Sequence, residues 1–134
     1  MPTHRLIRIG KSVHETLSGV EDIIVAYVFG STAEGKEHAF SDIDVAILLK
    51  EPSLDKTMRI HSLLTESIGD NVDTLLLNFA PPVLKYHVVK NGLRVISKDE
   101  DARVSFEARA LSEGLDEGFL IAKVREAIAR RLIS

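Results

Sequence analysis

The sequence predicts an α/β fold, a small mixed β-sheet with helices packed against it plus a C-terminal helix. Three observations carry that prediction. Apolar, β-branched runs of strand length, Ile23 to Phe29 and Val45 to Leu49, are separated by segments whose apolar residues recur every three or four positions. Glycines, prolines and the Asn91-Gly92 pair punctuate the changes of period. The 134 residues, 45% of them apolar, supply one core and are short for two, so a single domain spanning 1–134 is expected, with about 99–134 as its C-terminal helical segment.

Leu6, Ile9, Val13 and Leu17 mark one face of a first helix ending near Ser18-Gly19. Val20 to Phe29 supplies the first strand, and Gly30 to Ser41 crosses to a second, Asp42 to Leu49. Glu51-Pro52-Ser53 breaks the pattern, with Ser53 as N-cap of a helix carrying Leu54, Met58, His61, Leu64 and Ile68 and stopping at Gly69. Asn71 to Leu77 follows as a third strand. Pro81-Pro82 precedes a short helix over Val83 to Lys90, and Asn91-Gly92 turns the chain into the strand Leu93 to Ser97. Asp99 to Ile133 is helical in composition. Gly114 and Gly118 each cost about 1 kcal/mol relative to Ala in a helix interior, so a kink or a division into two helices is expected there, with Phe106, Leu111, Leu115, Phe119 and Val124 read as core for the most part and as an interface otherwise.

A formal net charge of −3 argues against a surface that tracks nucleic acid phosphates, and direct nucleic acid binding is not expected. Arg5, Arg8 and Lys11 near the start, and Lys123, Arg125, Arg130 and Arg131 near the end, read as solubilising charge on helix faces. No apolar run approaches the roughly 20 residues of a membrane helix, and Met1 to Gly10 lacks the pattern of a signal peptide. The absence of cysteine fits a reducing compartment, so a cytoplasmic location is expected.

The chemistry concentrates in Gly30 to Leu49. Gly30 and Ser31 follow a buried strand, where a backbone free of a Cβ can approach a ligand, and the amides and hydroxyls of Ser31 and Thr32 form a donor nest suited to phosphate. Asp42 and Asp44 open the next strand two residues apart and so project from one face, roughly 6 to 7 Å apart. Two such carboxylates repel unless a proton, a cationic side chain or a metal intervenes, and Mg²⁺ with its preference for oxygen ligands suits them best. Phosphate donors beside a magnesium pair imply nucleotide chemistry. Gly30 to Lys36 also matches the first seven positions of a P-loop, but Glu37 stands where a Ser or Thr should bind Mg²⁺. The P-loop stays as the alternative reading of this stretch.

Gly30-Ser31 followed by Ser41-Asp42-Ile43-Asp44 and an apolar strand resembles the nucleotidyltransferase superfamily of DNA polymerase β. More narrowly, nearly the whole chain resembles the minimal MNT-type nucleotidyltransferases that pair with HEPN-domain proteins in toxin–antitoxin systems. The resemblance implies a polymerase β-like nucleotidyltransferase fold, a single nucleotidyltransferase domain, two Mg²⁺ ions and ATP as donor. It places a third aspartate at the start of a neighbouring strand, where this chain has Asp73, with Asp70 as a rival. Asp42, Asp44 and Asp73 would then be catalytic metal ligands, and Gly30, Ser31, Ser41 and Lys36 would bind nucleotide. Glu34 departs from the family, whose members often carry a basic residue near that position; Glu34→Arg is expected to tighten nucleotide binding.

The implied reaction is in-line attack of an acceptor hydroxyl on the α-phosphorus of the triphosphate, with release of pyrophosphate. The resemblance further implies a HEPN toxin partner whose tyrosine is adenylylated. Two other readings stand beside it: an antitoxin that neutralises its partner by contact alone, and a small-molecule nucleotidyltransferase of the aminoglycoside-modifying kind. His4, His14, His38, His61 and His87 show no metal-ligand spacing and are read as surface or core residues.

Overall fold

The structure, a computed structural model, describes residues 4–29, 43–69 and 71–133, with side chains described throughout these except at 115–124 and 131–133. In chain order the elements are α1 (His4–Leu17), β1 (Ile23–Phe29), β2 (Ile43–Leu49), α2 (Leu54–Ile68), β3 (Val72–Leu76), α3 (Pro82–Asn91), β4 (Leu93–Ser97) and α4 (Glu100–Ile133), with a 3-10 turn at Leu77–Phe79. The four strands form one mixed sheet in the order β3-β2-β1-β4. β1 runs antiparallel to both β2 and β4, while β2 and β3 are parallel and need a crossover, which α2 supplies.

Both faces of the sheet are covered, which is why β1 and β2 read as nearly continuous apolar runs. α1 and α2 bury Leu6, Ile9, Val13, Leu17, Ile60 and Leu64 against Ile43, Val45, Ile47 and Leu49 of β2. On the opposite face Val25, Tyr27, Ala46 and Leu48 pack with Leu77, Ala80 and Val88 and with Phe106 of α4. Strict alternation fails in β1 at Ile24-Val25, both of which belong to the second cluster, and the register shift between Ile23 and Val25 accounts for it.

Local chemistry sets the element ends. The Ser53 hydroxyl accepts from the Lys56 amide at 3.1 Å, as its N-cap position requires, and Gly69 ends α2 at φ 124°, a conformation open to glycine alone at little cost. β3 stops one residue earlier than the sequence suggests. There the Asn78 side chain takes over the ladder, accepting from Leu49 N at 3.0 Å and donating to Leu49 O at 2.8 Å.

The expected break in the terminal helix is absent: α4 is one continuous element. Gly114 faces α3 so closely that a Cβ there would lie 2.6 Å from Pro82 O and collide with Tyr86. The glycine lets two helices cross, and the packing offsets its low helix propensity. Core assignment of the α4 residues holds for Phe106 but fails for Leu111, which is 40% exposed; the side chains of Leu115, Phe119 and Val124 lie outside those described.

Candidate active site

β2 is an inner strand, and its second residue, Asp44, has Phe29 of β1 as register partner on one side and Asp73 of β3 on the other. Alternation fixes which way these residues face. Ile43, Val45 and Ile47 point into the α1/α2 core, leaving Asp44 with Ala46 and Leu48 on the α3/α4 face. In β3, Val72 packs into the first core, and the Thr74 hydroxyl shares a 2.9 Å hydrogen bond with His61 Nδ1 of α2. Asp73 therefore shares the other face with Leu75 and Leu77, as its sequence position suggests.

Asp44 and Asp73 thus stand side by side on adjacent parallel strands, about 4.8 Å apart in the hydrogen-bonding direction. Asp44 is half-buried and Asp73 is exposed. Like charges at directly neighbouring sheet positions destabilise, so a pair held this way suits a hard divalent cation taking oxygen ligands. Among the described residues no group of three His, Asp or Glu side chains gathers into a metal site. The further carboxylate singled out in the sequence, Asp42, lies outside the described residues, as do Gly30, Ser31, Lys36, Ser41 and the rival Asp70. Phe29 immediately precedes Gly30, so the chain enters the Gly30-Ser31 pair from the position beside Asp44.

Phe29 is the neighbour that sequence reasoning did not assign to the site. Its only signal is that it is the last apolar residue before Gly30. Two residues back on the same face, Tyr27 is enclosed, and its hydroxyl donates to Glu107 Oε2 of α4 at 2.5 Å. Glu107 is held in turn by Arg103 at 2.5 Å and Arg94 at 3.3 Å. Burial first, and the Glu107 carboxylate second, push the Tyr27 pKa well above the usual tyrosine range. Tyr27 is thus a permanent donor that ties α4 behind the site. The described histidines near the sheet make structural contacts: besides His61, His14 Nδ1 lies 2.8 Å from Val95 O, on the β4 side.

Known proteins resemble this chain in sequence and in fold. Residues 11–101, more than half of the chain, match the family described as polymerase beta, nucleotidyltransferase. Protein adenylyltransferase MntA of Shewanella oneidensis is 34% identical over 77 residues, 56% of this chain and 55% of that protein. The match thus spans about half the length of that relative. A chain of a toxin–antitoxin crystal structure with AMP-PNP superposes with a TM-score of 0.67 at 24% identity, over 93% of this chain and 98% of that one. A chain from the complex of a tri-AMPylated Shewanella oneidensis HEPN toxin with an MNT antitoxin gives 0.64 at 22% identity, over 96% and 98%. These two likenesses establish a shared fold. With the sequence match across β1 to β4, they lead to one conclusion: this chain belongs to the polymerase beta nucleotidyltransferase family.

Proposed function

We propose that this protein is an adenylyltransferase antitoxin that moves AMP from ATP onto a tyrosine hydroxyl of a HEPN-type toxin, with Mg²⁺ as cofactor. The observation that carries the proposal is the pairing of Asp44 with Asp73 on one face, beside the strand end that leads into Gly30-Ser31. The adenylyltransferase name of the Shewanella relative and the AMPylated state of the toxin in the related complex support the choice of AMP and of a HEPN partner. The AMP-PNP structure supports ATP as donor.

Residues 1–134 form one nucleotidyltransferase domain in this reading. Asp42 and Asp44 supply oxygen ligands to two Mg²⁺ ions, and Asp73 supplies a third carboxylate and takes up the proton of the acceptor hydroxyl. Gly30 and Ser31 donate hydrogen bonds to the β- and γ-phosphates, with Ser41 and Lys36 completing the nucleotide site. Bound there, the metal neutralises the triphosphate and lowers the pKa of the acceptor hydroxyl. Positioning and charge neutralisation do most of the remaining work, which agrees with the location of His61 on the opposite face of β3.

The test mixes the folded protein with a purified HEPN partner, Mg²⁺ and labelled ATP. Label should appear on the partner and fall at least a hundredfold for Asp44→Asn and for Asp73→Asn. No transfer by a demonstrably folded protein overturns the proposal. Full neutralisation of the toxin by the Asp42→Asn/Asp44→Asn double variant would instead establish neutralisation by contact.

A further inference from the structure

Behind the carboxylate pair, on the α1/α2 side of the same strand ends, lies a second concavity of about 260 Å³. Ile43 and Asn71 form its floor, α1 contributes Arg5, Arg8 and Ser12, and α2 contributes Ser67. Ile43 alternates with Asp44 along β2, so the hollow and the carboxylates occupy opposite faces of one sheet end.

The charge arrangement here is unfavourable as it stands. Arg5 and Arg8 are three residues apart on one helix, a spacing at which like charges repel. They sit near the N-terminus of α1, where the helix dipole already concentrates positive charge and no acidic residue of the first turn compensates it. Among the described residues neither arginine forms an ion pair, whereas Lys56, Arg94 and Arg103 each do. Among the described residues no carboxylate lines the hollow. The concavity beside Lys56 and Arg59 differs on that point, since Glu21 and Asp22 share its lining and Asp22 lies 3.0 Å from Lys56 Nζ. Two guanidinium groups without an ion pair among the described residues, the Ser12 hydroxyl and the Asn71 amide are a donor set that a multiply charged oxyanion satisfies, and the guanidinium fork matches phosphate oxygens in pairs.

We propose that Arg5, Arg8, Ser12 and Asn71 form a binding site for a phosphate oxyanion, inorganic phosphate or pyrophosphate. The hollow, below the roughly 300 Å³ at which pockets for drug-sized ligands begin, suits a small anion. Pyrophosphate is the by-product of nucleotidyl transfer, so the site would respond to the reaction's own product. The site needs neither a divalent metal nor an acceptor, so it stands or falls separately from the function proposed above.

The experiment is calorimetric titration of the full chain in EDTA with pyrophosphate, with phosphate and with AMP, at constant ionic strength. Pyrophosphate or phosphate should bind, the tighter of the two identifying the natural ligand, and AMP should bind more weakly than either. Affinity should fall at least tenfold in Arg5→Gln/Arg8→Gln and several-fold in Arg8→Gln alone. Arg8 is exposed, so the single variant keeps the test informative should the double variant misfold. Absence of binding in EDTA overturns the site, as does undiminished affinity in folded Arg8→Gln. Loss of binding in Asp44→Asn would also overturn it, by locating the anion on the carboxylate face.

Discussion

Tyr27 has a polar hydroxyl inside an apolar cluster, and its stability depends on one acceptor. A buried hydrogen bond to a charged group contributes about 1.5 to 3 kcal/mol, and deleting the donor leaves Glu107 with its two arginines but without its enclosed partner. Tyr27→Phe should therefore lower the unfolding free energy in urea by about 1.5 to 3 kcal/mol. The pH dependence has a definite sign. The Tyr27 pKa is raised above the ordinary 10.0, so the folded protein keeps a proton that the unfolded chain releases. Its stabilisation is complete below about pH 10 and is lost as pH rises further; Tyr27→Phe should flatten that alkaline loss. Asn78 makes a neutral counterpart. Its amide replaces a missing strand partner with two bonds to Leu49, so Asn78→Ala should leave a backbone N–H and C=O unpaired and cost about 1 to 3 kcal/mol.

Among the elements, α4 departs furthest from what its sequence suggests. Gly114 reads as a helix weakener because local propensity is all that a sequence displays, while the crossing with α3 that requires a glycine comes from residues near 82 and 86. Gly114→Ala tests this directly. Propensity favours Ala by about 1 kcal/mol, but overpacking a close helix crossing costs about 1 to 3 kcal/mol, and urea melts should show net destabilisation. The start of α4 has its own pH signature. Hydrogen bonds first from Arg103 and then from Ser97 lower the Glu100 pKa from 4.5 to about 2. This stabilisation is present above about pH 4.5 and is lost as pH falls toward 2, so Glu100→Gln should abolish that part of the acid transition seen by far-ultraviolet circular dichroism. Elements held by local signals were legible in the sequence: the buried face of α1, the Ser53 cap, the Gly69 stop and the strands β1, β2 and β4; in α2 Leu64 is buried as expected, whereas Leu54 and Met58 are exposed and Ile60 takes the core position. The order β3-β2-β1-β4 was not legible in residue patterns, and the placing of Asp73 on a strand beside Asp44 was implied only by the family resemblance. Both depend on how α2 carries the chain from β2 to β3, which no short window encodes. Of the proposed site, the face of Asp73 was legible because alternation is local, whereas its neighbour across the ladder was not.

At the scale of the molecule, two helical layers leave one end of the sheet as the meeting point of the strand ends that matter. β1 finishes there, β2 and β3 begin there, and the parallel β2–β3 pair places two acids side by side. Such an end should be stabilised by its ligand more than most surfaces are. If Mg²⁺ and a nonhydrolysable ATP analogue bind only the folded chain, a concentration 100 times the Kd adds about 2.7 kcal/mol to the unfolding free energy by mass action alone. Thermal melts should rise by several degrees with both present and far less with either one alone. Asp44→Asn should abolish that rise. A parent protein that gains no stability from metal and nucleotide together, or an Asp44→Asn variant that gains as much, would separate the carboxylate pair from nucleotide binding. The opposite pattern, a rise in the parent with both ligands that Asp44→Asn lacks, is that of acids kept to hold a metal and a nucleotide.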